Sequence, residues 1–298
     1  MHARRITSLF AALIAFSSTA VAQDRQRPKP TIEGMSYGPH EQQKIDFYMV
    51  ESDTPTPLVI YIHGGGFRGG SFKGIGAATI TRMHEAGISV ASVEYRFIKH
   101  ALLPAAHHDC RRAIQTLRSS ATMLNIDPNR IAAYGGSAGA QLSMYLAFSD
   151  DAADPKSKDP IERQSTRLIA VATSGGQATM NLDWWTKNIP GYDKHHRDLR
   201  EYFGNISDEE LMAVIHTVSA IDLMSSDDPP MFMSYNMAPE DPVPNDPKKA
   251  QGWKIHHVTF GQVLLAKAKK LGIEAHLKYR GAKVAYPSQD AFLIDKLK

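Results

Sequence analysis

A serine between glycines, Gly135-Gly136-Ser137-Ala138-Gly139, is the feature that most limits how this chain can fold. The run Ile131–Tyr134 before it is short and apolar, as in a buried strand, and Ala140–Phe148 after it suits a buried helix. Glycines on both sides let strand and helix approach closely and permit a sharp turn that exposes the hydroxyl. The pattern therefore predicts a strand–turn–helix unit with Ser137 at its corner.

A second glycine-rich turn lies upstream of that serine. Leu58–Ile62 is continuously apolar and rich in β-branched residues, which is typical of a strand covered on both faces. It leads into His63–Phe67, whose three glycines can point backbone N–H groups at a developing oxyanion. One such donor contributes about 2.7–4 kcal/mol to transition-state stabilisation in acyl transfer. The two turns together favour acyl-transfer chemistry at a serine.

Runs suited to strands alternate with runs suited to helices along most of the chain. This order predicts an α/β fold with a mostly parallel sheet and helices on both faces. Strands are expected at 58–62, 88–93, 131–134, 168–173, 230–235 and 273–279, with 44–50 paired antiparallel to an early strand. Helices are expected at 74–86, 106–121, 139–148, 208–216, 258–271 and 288–298, and a Pro- and Asp-rich loop at 236–254.

Four segments of the chain together resemble a known family. They are His63–Phe67, Val93–Arg96, Leu103–Ala106 followed by Asp109, and Gly135–Gly139. Over about residues 40–298 the chain resembles the α/β-hydrolases of the hormone-sensitive-lipase and feruloyl-esterase-like group. The resemblance implies an α/β-hydrolase fold and a serine carboxylesterase that needs no cofactor. It also implies Ser137 as nucleophile, with the N–H groups of Gly65, Gly66 and Ala138 as the oxyanion hole.

A serine hydroxyl needs a base to take its proton and a carboxylate to orient that base. The chain order in α/β-hydrolases is Ser, then Asp or Glu, then His. Glu240–Pro244 resembles the family's D-x-V-P element, so Asp241 is the expected acid, with Glu240 and Asp246 as alternatives. A Pro-rich surface loop also carries acidic residues for solvation alone, which leaves a non-catalytic Asp241 open.

No histidine stands where the resemblance places one, in the turn after the last strand. Val284 occupies that place, and the last histidine, His276, lies mid-strand on the polar side. His256 and His257 directly precede the expected helix 258–271 and offer a relocated base. We expect His257 to be this base, because it is nearer a helix N-terminus, where the macrodipole keeps an imidazole neutral. His256 is the alternative base.

Loss of the base is the competing interpretation. A serine and an oxyanion hole without a base would still bind an ester, but would keep only about a 10³–10⁴-fold advantage over water. The chain would then be a catalytically impaired homologue that binds carbohydrate or ester ligands. A serine peptidase of the prolyl-oligopeptidase type is disfavoured, because the chain has no room for the additional propeller domain of those enzymes.

The N-terminal residues have the pattern of a secretory signal peptide. Arg4 and Arg5 precede a short apolar segment, Leu9–Phe16, and Ala20-Val21-Ala22 follows as an A-x-A cleavage site. We expect cleavage after Ala22 and a secreted or periplasmic protein. No membrane association is expected after cleavage, since no later segment reaches transmembrane length.

Length and charge limit the organisation and the partners. One α/β-hydrolase domain is expected over 41–298 after a signal peptide at 1–22 and a leader at 23–40. A cap-like excursion is expected at about 177–228, where Trp184 and Trp185 either line the cleft or pack a surface segment. The chain has 34 Lys and Arg against 31 Asp and Glu, a near balance that does not favour a nucleic-acid partner.

The expected partner is a small-molecule or polysaccharide ester, such as an acyl decoration of a polysaccharide. This expectation comes from the resemblance and the export signal. No metal is expected, because the adjacent His107 and His108 cannot easily direct both rings at one ion. The single cysteine, Cys110, lies in an apolar-periodic run and is expected to be a buried core residue.

Overall fold

The computed structural model describes residues 27–298, so the expected signal peptide at 1–22 lies outside the described residues. The strands are β1 (Ile32–Ser36), β2 (Lys44–Tyr48), β3 (Thr56–Ile62), β4 (Ser89–Val93), β5 (Ile126–Gly136), β6 (Ala170–Ser174), β7 (Met231–Ser234) and β8 (Ala275–Lys278). The helices are α1 (Ala77–Glu85), α2 (Ala105–Ser119), α3 (Ala138–Phe148), α4 (Leu182–Asn188), α5 (Arg200–Phe203), α6 (Asp208–Val218), α7 (Ala220–Leu223), α8 (Pro247–Ile255), α9 (Thr259–Leu271) and α10 (Gln289–Leu297).

These strands form one sheet in the order β1-β2-β4-β3-β5-β6-β7-β8. β2 pairs antiparallel with β1 and β4, and the remaining neighbours pair parallel. Because parallel strands end at the same edge, the turns after β3, β5, β6 and β7 meet there, where α/β proteins bind ligands. The chain has the α/β-hydrolase fold that the sequence predicts.

Apolar side chains cover both faces of the sheet. Within β3, Leu58, Ile60 and Ile62 belong to one buried cluster, and Val59 belongs to the cluster on the other face. Every residue of α3 is buried, which explains why that helix is mostly apolar, with Gln141 and Ser143 as buried polar residues. Cys110 is buried in α2, as expected. Within residues 27–298, no helix combines the length and the apolar character needed to cross a membrane.

The expected elements are present in the expected order, but two boundaries need correction. The leader predicted for 23–40 is wrong from Ile32 onward, because β1 pairs with β2 and extends the sheet by one strand. The loop predicted for 236–254 is also wrong in its second half, which is the helix α8. The excursion at 177–228 contains α4, α5, α6 and α7, of which only α6 was expected, as a helix at 208–216.

Candidate active site

Ser137 sits at the corner between β5 and α3. Its backbone has φ 54° and ψ −118°, a region that a residue with a side chain rarely adopts and that marks a strained functional turn. The neighbouring glycines make this turn possible. A Cβ on Gly139 would lie 2.0 Å from the carbonyl oxygen of Ile62, and a Cβ on Gly135 would lie 2.5 Å from the same atom. Close approach of helix and strand therefore requires glycine at both positions.

The segment with the predicted oxyanion donors lies against this corner. A Cβ on Gly64 would stand 2.7 Å from the carbonyl oxygen of Gly136, so the two turns touch. Gly65 and Gly66 both have positive φ, 123° and 61°, which turns their peptide groups out of the extended path of β3. Ala138 is the first residue of α3, and the first N–H groups of a helix have no acceptor within it.

A buried pair supports the glycine segment from behind. His63 Nε2 is 2.6 Å from Glu94 Oε1, and His63 Nδ1 is 2.7 Å from the carbonyl oxygen of Gly64. Glu94 also accepts from the N–H groups of Tyr95 at 3.2 Å and Phe72 at 3.3 Å. The ring of His63 stacks on Tyr95 with centroids 4.4 Å apart. The side chain of His63 thus fixes the start of the glycine turn.

His256 is the histidine beside Ser137. Its Nε2 is 3.0 Å from the Oγ of Ser137, and its Nδ1 is 2.9 Å from the carbonyl oxygen of Gly252. A carbonyl oxygen only accepts, so Nδ1 carries the proton of the neutral ring and donates it to Gly252. Nε2 is left free to accept from the serine hydroxyl. This tautomer is the one that a general base for serine requires.

Helix α8 brings His256 to this position. Asp246 caps the helix by accepting from the N–H of Lys249, and Pro247 occupies the first turn. His256 is the C-cap residue of the same helix. The negative end of the helix dipole therefore lies next to the ring and favours an imidazolium when one forms.

Burial determines whether the His256 ring is neutral or protonated before the reaction. Burial lowers the pKa of His256 below the ordinary value of 6.5, and the hydrogen bond to Gly252 opposes that shift. The ring is consequently neutral at neutral pH and able to accept a proton.

The expectation that His257 faces the nucleophile needs correction. His257 is 1 % exposed, its Nδ1 is 2.8 Å from Thr259 Oγ1, and its ring lies edge-on to Trp253 with centroids 4.3 Å apart. Burial lowers the pKa of His257, against a smaller raising effect of the Asp241 charge. His256 lies next to Ser137 in place of His257 because α8 ends at Ile255. That end places His256, one residue later, at the cap, so the histidine next to Ser137 lies at a helix C-terminus and not an N-terminus.

Asp241 is not brought to His256. One carboxylate oxygen accepts from the N–H of Ala238 at 2.8 Å, and the other is bonded to Arg280. Arg280 belongs to the turn after β8, where the resemblance places the missing histidine. Of the alternative acids, Asp246 is the cap of α8. Asp241, the expected acid, thus connects its own loop to the turn after β8. The group that orients His256 is the backbone carbonyl of Gly252.

A cleft of about 530 Å³ opens above Ser137. Its walls carry aromatic and small polar side chains and several glycines. They are Tyr61, Gly64, Gly136, Ser137, Ser174, Gly175, Tyr235, Asn236, Met237, Gly252, Trp253 and His256. Trp253 from α8 is the tryptophan that lines this cleft, whereas the sequence left open whether Trp184 and Trp185 do so. Trp185 instead packs in the core against Phe260, with ring centroids 4.9 Å apart.

The part of the chain that the structure describes contains no cluster of three His, Cys, Asp or Glu side chains that could hold a metal ion. Sequence reasoning did not find Gly252, because a backbone carbonyl leaves no side-chain signal. A signal for α8 was present: an Asp followed by Pro, at 246 and 247, is a common helix start.

Comparisons with known proteins agree with this fold. Esterase LipC of Mycobacterium tuberculosis is 30% identical over 158 residues, which is 52% of this chain and 38% of that protein. An acetyl ester-xyloside bifunctional hydrolase from Caldicellulosiruptor lactoaceticus is 25% identical with a TM-score of 0.61, covering 79% of this chain and 76% of that one. A truncated carbohydrate esterase from gut microbiota is 21% identical with a TM-score of 0.64, covering 83% and 86%.

The chain spans about a third of the length of the curated relatives it matches. The BD-FAE family matches it over residues 45–245. This match extends over more than half of the chain and includes both glycine turns, Ser137 and Asp241. The chain therefore belongs to the BD-FAE family of α/β-hydrolases.

Proposed function

We propose that this protein is a serine esterase that hydrolyses carboxylic esters, with Ser137 as nucleophile and His256 as base. The observation that carries the proposal is the 3.0 Å separation of Ser137 Oγ and His256 Nε2. The named esterases among its relatives support the same reaction class.

In the proposed first step, Ser137 attacks the ester carbonyl as its proton moves to His256 Nε2. The N–H groups of Gly65, Gly66 and Ala138 bind the oxyanion of the tetrahedral intermediate. The carbonyl of Gly252 and the carboxyl end of α8 stabilise the imidazolium. His256 then returns the proton to the leaving alcohol, which departs and leaves an acyl-serine.

In the second step, water attacks the acyl-serine and His256 accepts its proton. The oxyanion forms again in the same place and collapses to release the carboxylic acid, with the proton returned to Ser137. No cofactor enters either step.

The substrate we propose is an acyl ester on a carbohydrate. Two features support it. The cleft is lined by aromatic rings and the amide of Asn236, which suit the alternating apolar and hydroxyl surfaces of sugars. One structural relative is named an acetyl ester-xyloside bifunctional hydrolase and another a carbohydrate esterase.

We also propose that the protein is exported, on the basis of Arg4, Arg5, Leu9–Phe16 and the A-x-A site. The test is N-terminal sequencing of the protein isolated from the periplasm or the culture medium of the source cell, and we expect its first residue to be Gln23.

The test is hydrolysis of p-nitrophenyl acetate and of acetylated xylo-oligosaccharide by the wild type and by Ser137→Ala, His256→Ala and His257→Gln. We expect the first two changes to lower kcat by about 10³-fold or more and His257→Gln to lower it less than about tenfold. Circular dichroism checks that each variant is folded. Undiminished hydrolysis by folded His256→Ala would refute the assigned base.

A second function, ester binding without turnover, is favoured by one observation. Within residues 27–298, the ring of His256 makes no hydrogen bond to a carboxylate. A wild type that binds acetylated xylo-oligosaccharide in calorimetry but hydrolyses neither ester would establish this function in place of the first.

A further inference from the structure

Two buried glutamines connect the nucleophile helix to the helix that carries His256. We propose that Gln177 is a positioning residue, which acts on the reaction by holding His256 against Ser137. The inference rests on the proposed function, because Gln177 affects the reaction only through those two side chains.

The contacts of Gln177 are direct and almost fully shielded from solvent. Gln177 is 2 % exposed and Gln141 is 5 % exposed. Gln177 Nε2 donates to the carbonyl oxygens of Ile255 at 2.8 Å and Gly175 at 3.3 Å. Since carbonyl oxygens only accept, they fix the amide with its nitrogen toward them. Its Oε1 accordingly accepts from Gln141 Nε2 at 2.7 Å.

The hydrogen bonds close a ring around the reacting atoms. Gln141 lies one turn into α3, and its backbone N–H donates to the carbonyl oxygen of Ser137 at 3.1 Å. From Ser137 the path runs through Gln141 and Gln177 to the carbonyl of Ile255. The next residue, His256, returns to the Oγ of Ser137 at 3.0 Å. Nucleophile and base are therefore connected twice, once by their own contact and once through the amides.

Both carbonyls that Gln177 holds belong to segments in contact with the base. Ile255 is the last residue of α8, so its carbonyl has no donor within the helix, and Gln177 supplies one. Gly175 lies beside the ring, because a Cβ built on it would be 3.2 Å from Cδ2 of His256. One amide thus sets the distance between the end of α8 and the turn after β6.

This arrangement takes over a task that a triad carboxylate normally performs. A carboxylate holds its histidine through Nδ1 and fixes the orientation of the ring. Here Nδ1 is bonded to Gly252 within the same helix, which fixes the ring relative to α8 but not relative to Ser137. The buried amides supply that second constraint. Displacement of a reacting group by about 1 Å costs about 10²-fold in rate.

The test compares two glutamines in the full-length mature chain. Gln177→Met keeps side-chain volume and removes the donor and the acceptor. Gln115→Met is the matched control, since Gln115 is 5 % exposed and its Nε2 donates to the carbonyls of Glu162 at 3.1 Å and Gln164 at 2.9 Å, away from the cleft. With p-nitrophenyl acetate, we expect Gln177→Met to lower kcat by about 10²-fold with KM changed less than about threefold. The control should leave both constants unchanged.

A double-mutant cycle separates positioning from general stability. In a His256→Ala background, Gln177→Met should change the residual rate by less than about twofold, because the positioned group is gone. If Gln177→Met unfolds the chain, Gln141→Met provides the test, since it leaves the Gln177 donor in place and should lower kcat by about tenfold. A kcat loss no larger than that of Gln115→Met, or an equal loss with and without His256, would overturn the proposal. A wild type with no hydrolysis would instead overturn the proposed function.

Discussion

His256 donates from Nδ1 to the carbonyl oxygen of Gly252, one helical turn earlier, over 2.9 Å. The same oxygen accepts the backbone N–H of His256 at 3.1 Å, so a single acceptor fixes both the backbone and the ring. In a triad, a carboxylate orients the histidine and supports the imidazolium. In the proposed mechanism, the carboxyl end of a helix takes both roles through its partial negative charge.

Asp241→Asn should therefore leave most of the activity in place. Loss of a triad aspartate typically lowers kcat by about 10⁴-fold because the histidine takes the wrong tautomer. The carboxylate of Asp241 instead bonds to Ala238 and Arg280. We expect kcat for p-nitrophenyl acetate to fall less than about tenfold, with a small loss of stability from the partly exposed ion pair.

Arg280→Gln is the matched control for Asp241→Asn, because it breaks the same ion pair from its exposed side. The two variants should have similar kcat values and similar unfolding midpoints in urea. A kcat of Asp241→Asn as low as that of Ser137→Ala would show that the carboxylate takes part in the reaction.

The sequence predicted the sharp turn that carries Ser137, because the residues that the turn requires are adjacent in the chain. Gly135 and Gly139 are required by the approach of α3 to Ile62, and the apolar runs on either side mark the strand and the helix. The antiparallel pairing of 44–50 with an early strand was also predicted, and β2 pairs antiparallel with β1.

The contact of His256 with Ser137 and the residues that support it were harder to predict, because they depend on contacts between distant segments. Whether His256 or His257 faces Ser137 is decided by the residue at which α8 ends, and helix ends are the least certain part of sequence reading. Gln177 contacts residues 36 and 78 positions away, a relation that no local pattern encodes.

The pH profile of the reaction should report the pKa of His256, the proposed base. His256 must be neutral to accept the proton of Ser137, and burial lowers its pKa below 6.5. As pH falls, the neutral form persists to a lower pH than it would in an exposed histidine, so the pH at which half of the activity is lost lies below 6.5. We expect the acid limb of kcat/KM for p-nitrophenyl acetate to have its midpoint under that value. A midpoint above 6.5 would contradict the assignment of this ring as the base.

Gly175→Ala should slow the reaction by displacing the ring of His256, the proposed base. The added Cβ would lie 3.2 Å from Cδ2 and 3.3 Å from Cβ of His256, closer than usual contacts, so the ring must move by a few tenths of an ångström. Misplacement of this kind costs up to about 10²-fold in rate, and we expect kcat to fall by about 10–10²-fold.

The control for Gly175→Ala is Gly87→Ala. Both glycines have positive φ, 56° and 77°, but a Cβ on Gly87 has no atom within 4 Å. Each variant should lose a comparable amount of stability through backbone strain, about 1 kcal/mol. Only Gly175→Ala should lose activity, and equal kcat values for the two would exclude the contact with His256 as the cause.

Glu94→Ala should weaken both the fold and the oxyanion site. The side chain is 7 % exposed and is bonded to His63 at 2.6 Å, and removing one member of a buried pair costs about 3–5 kcal/mol. Urea unfolding measures this loss.

Glu33→Ala is the control, because its pair with Lys73 at 3.4 Å is exposed and contributes at most about 1 kcal/mol. Since His63 begins the glycine turn, kcat of folded Glu94→Ala should also fall by about 10²–10³-fold, the usual effect of a lost oxyanion donor. Stability and kcat equal to those of Glu33→Ala would show that the pair does not hold the turn.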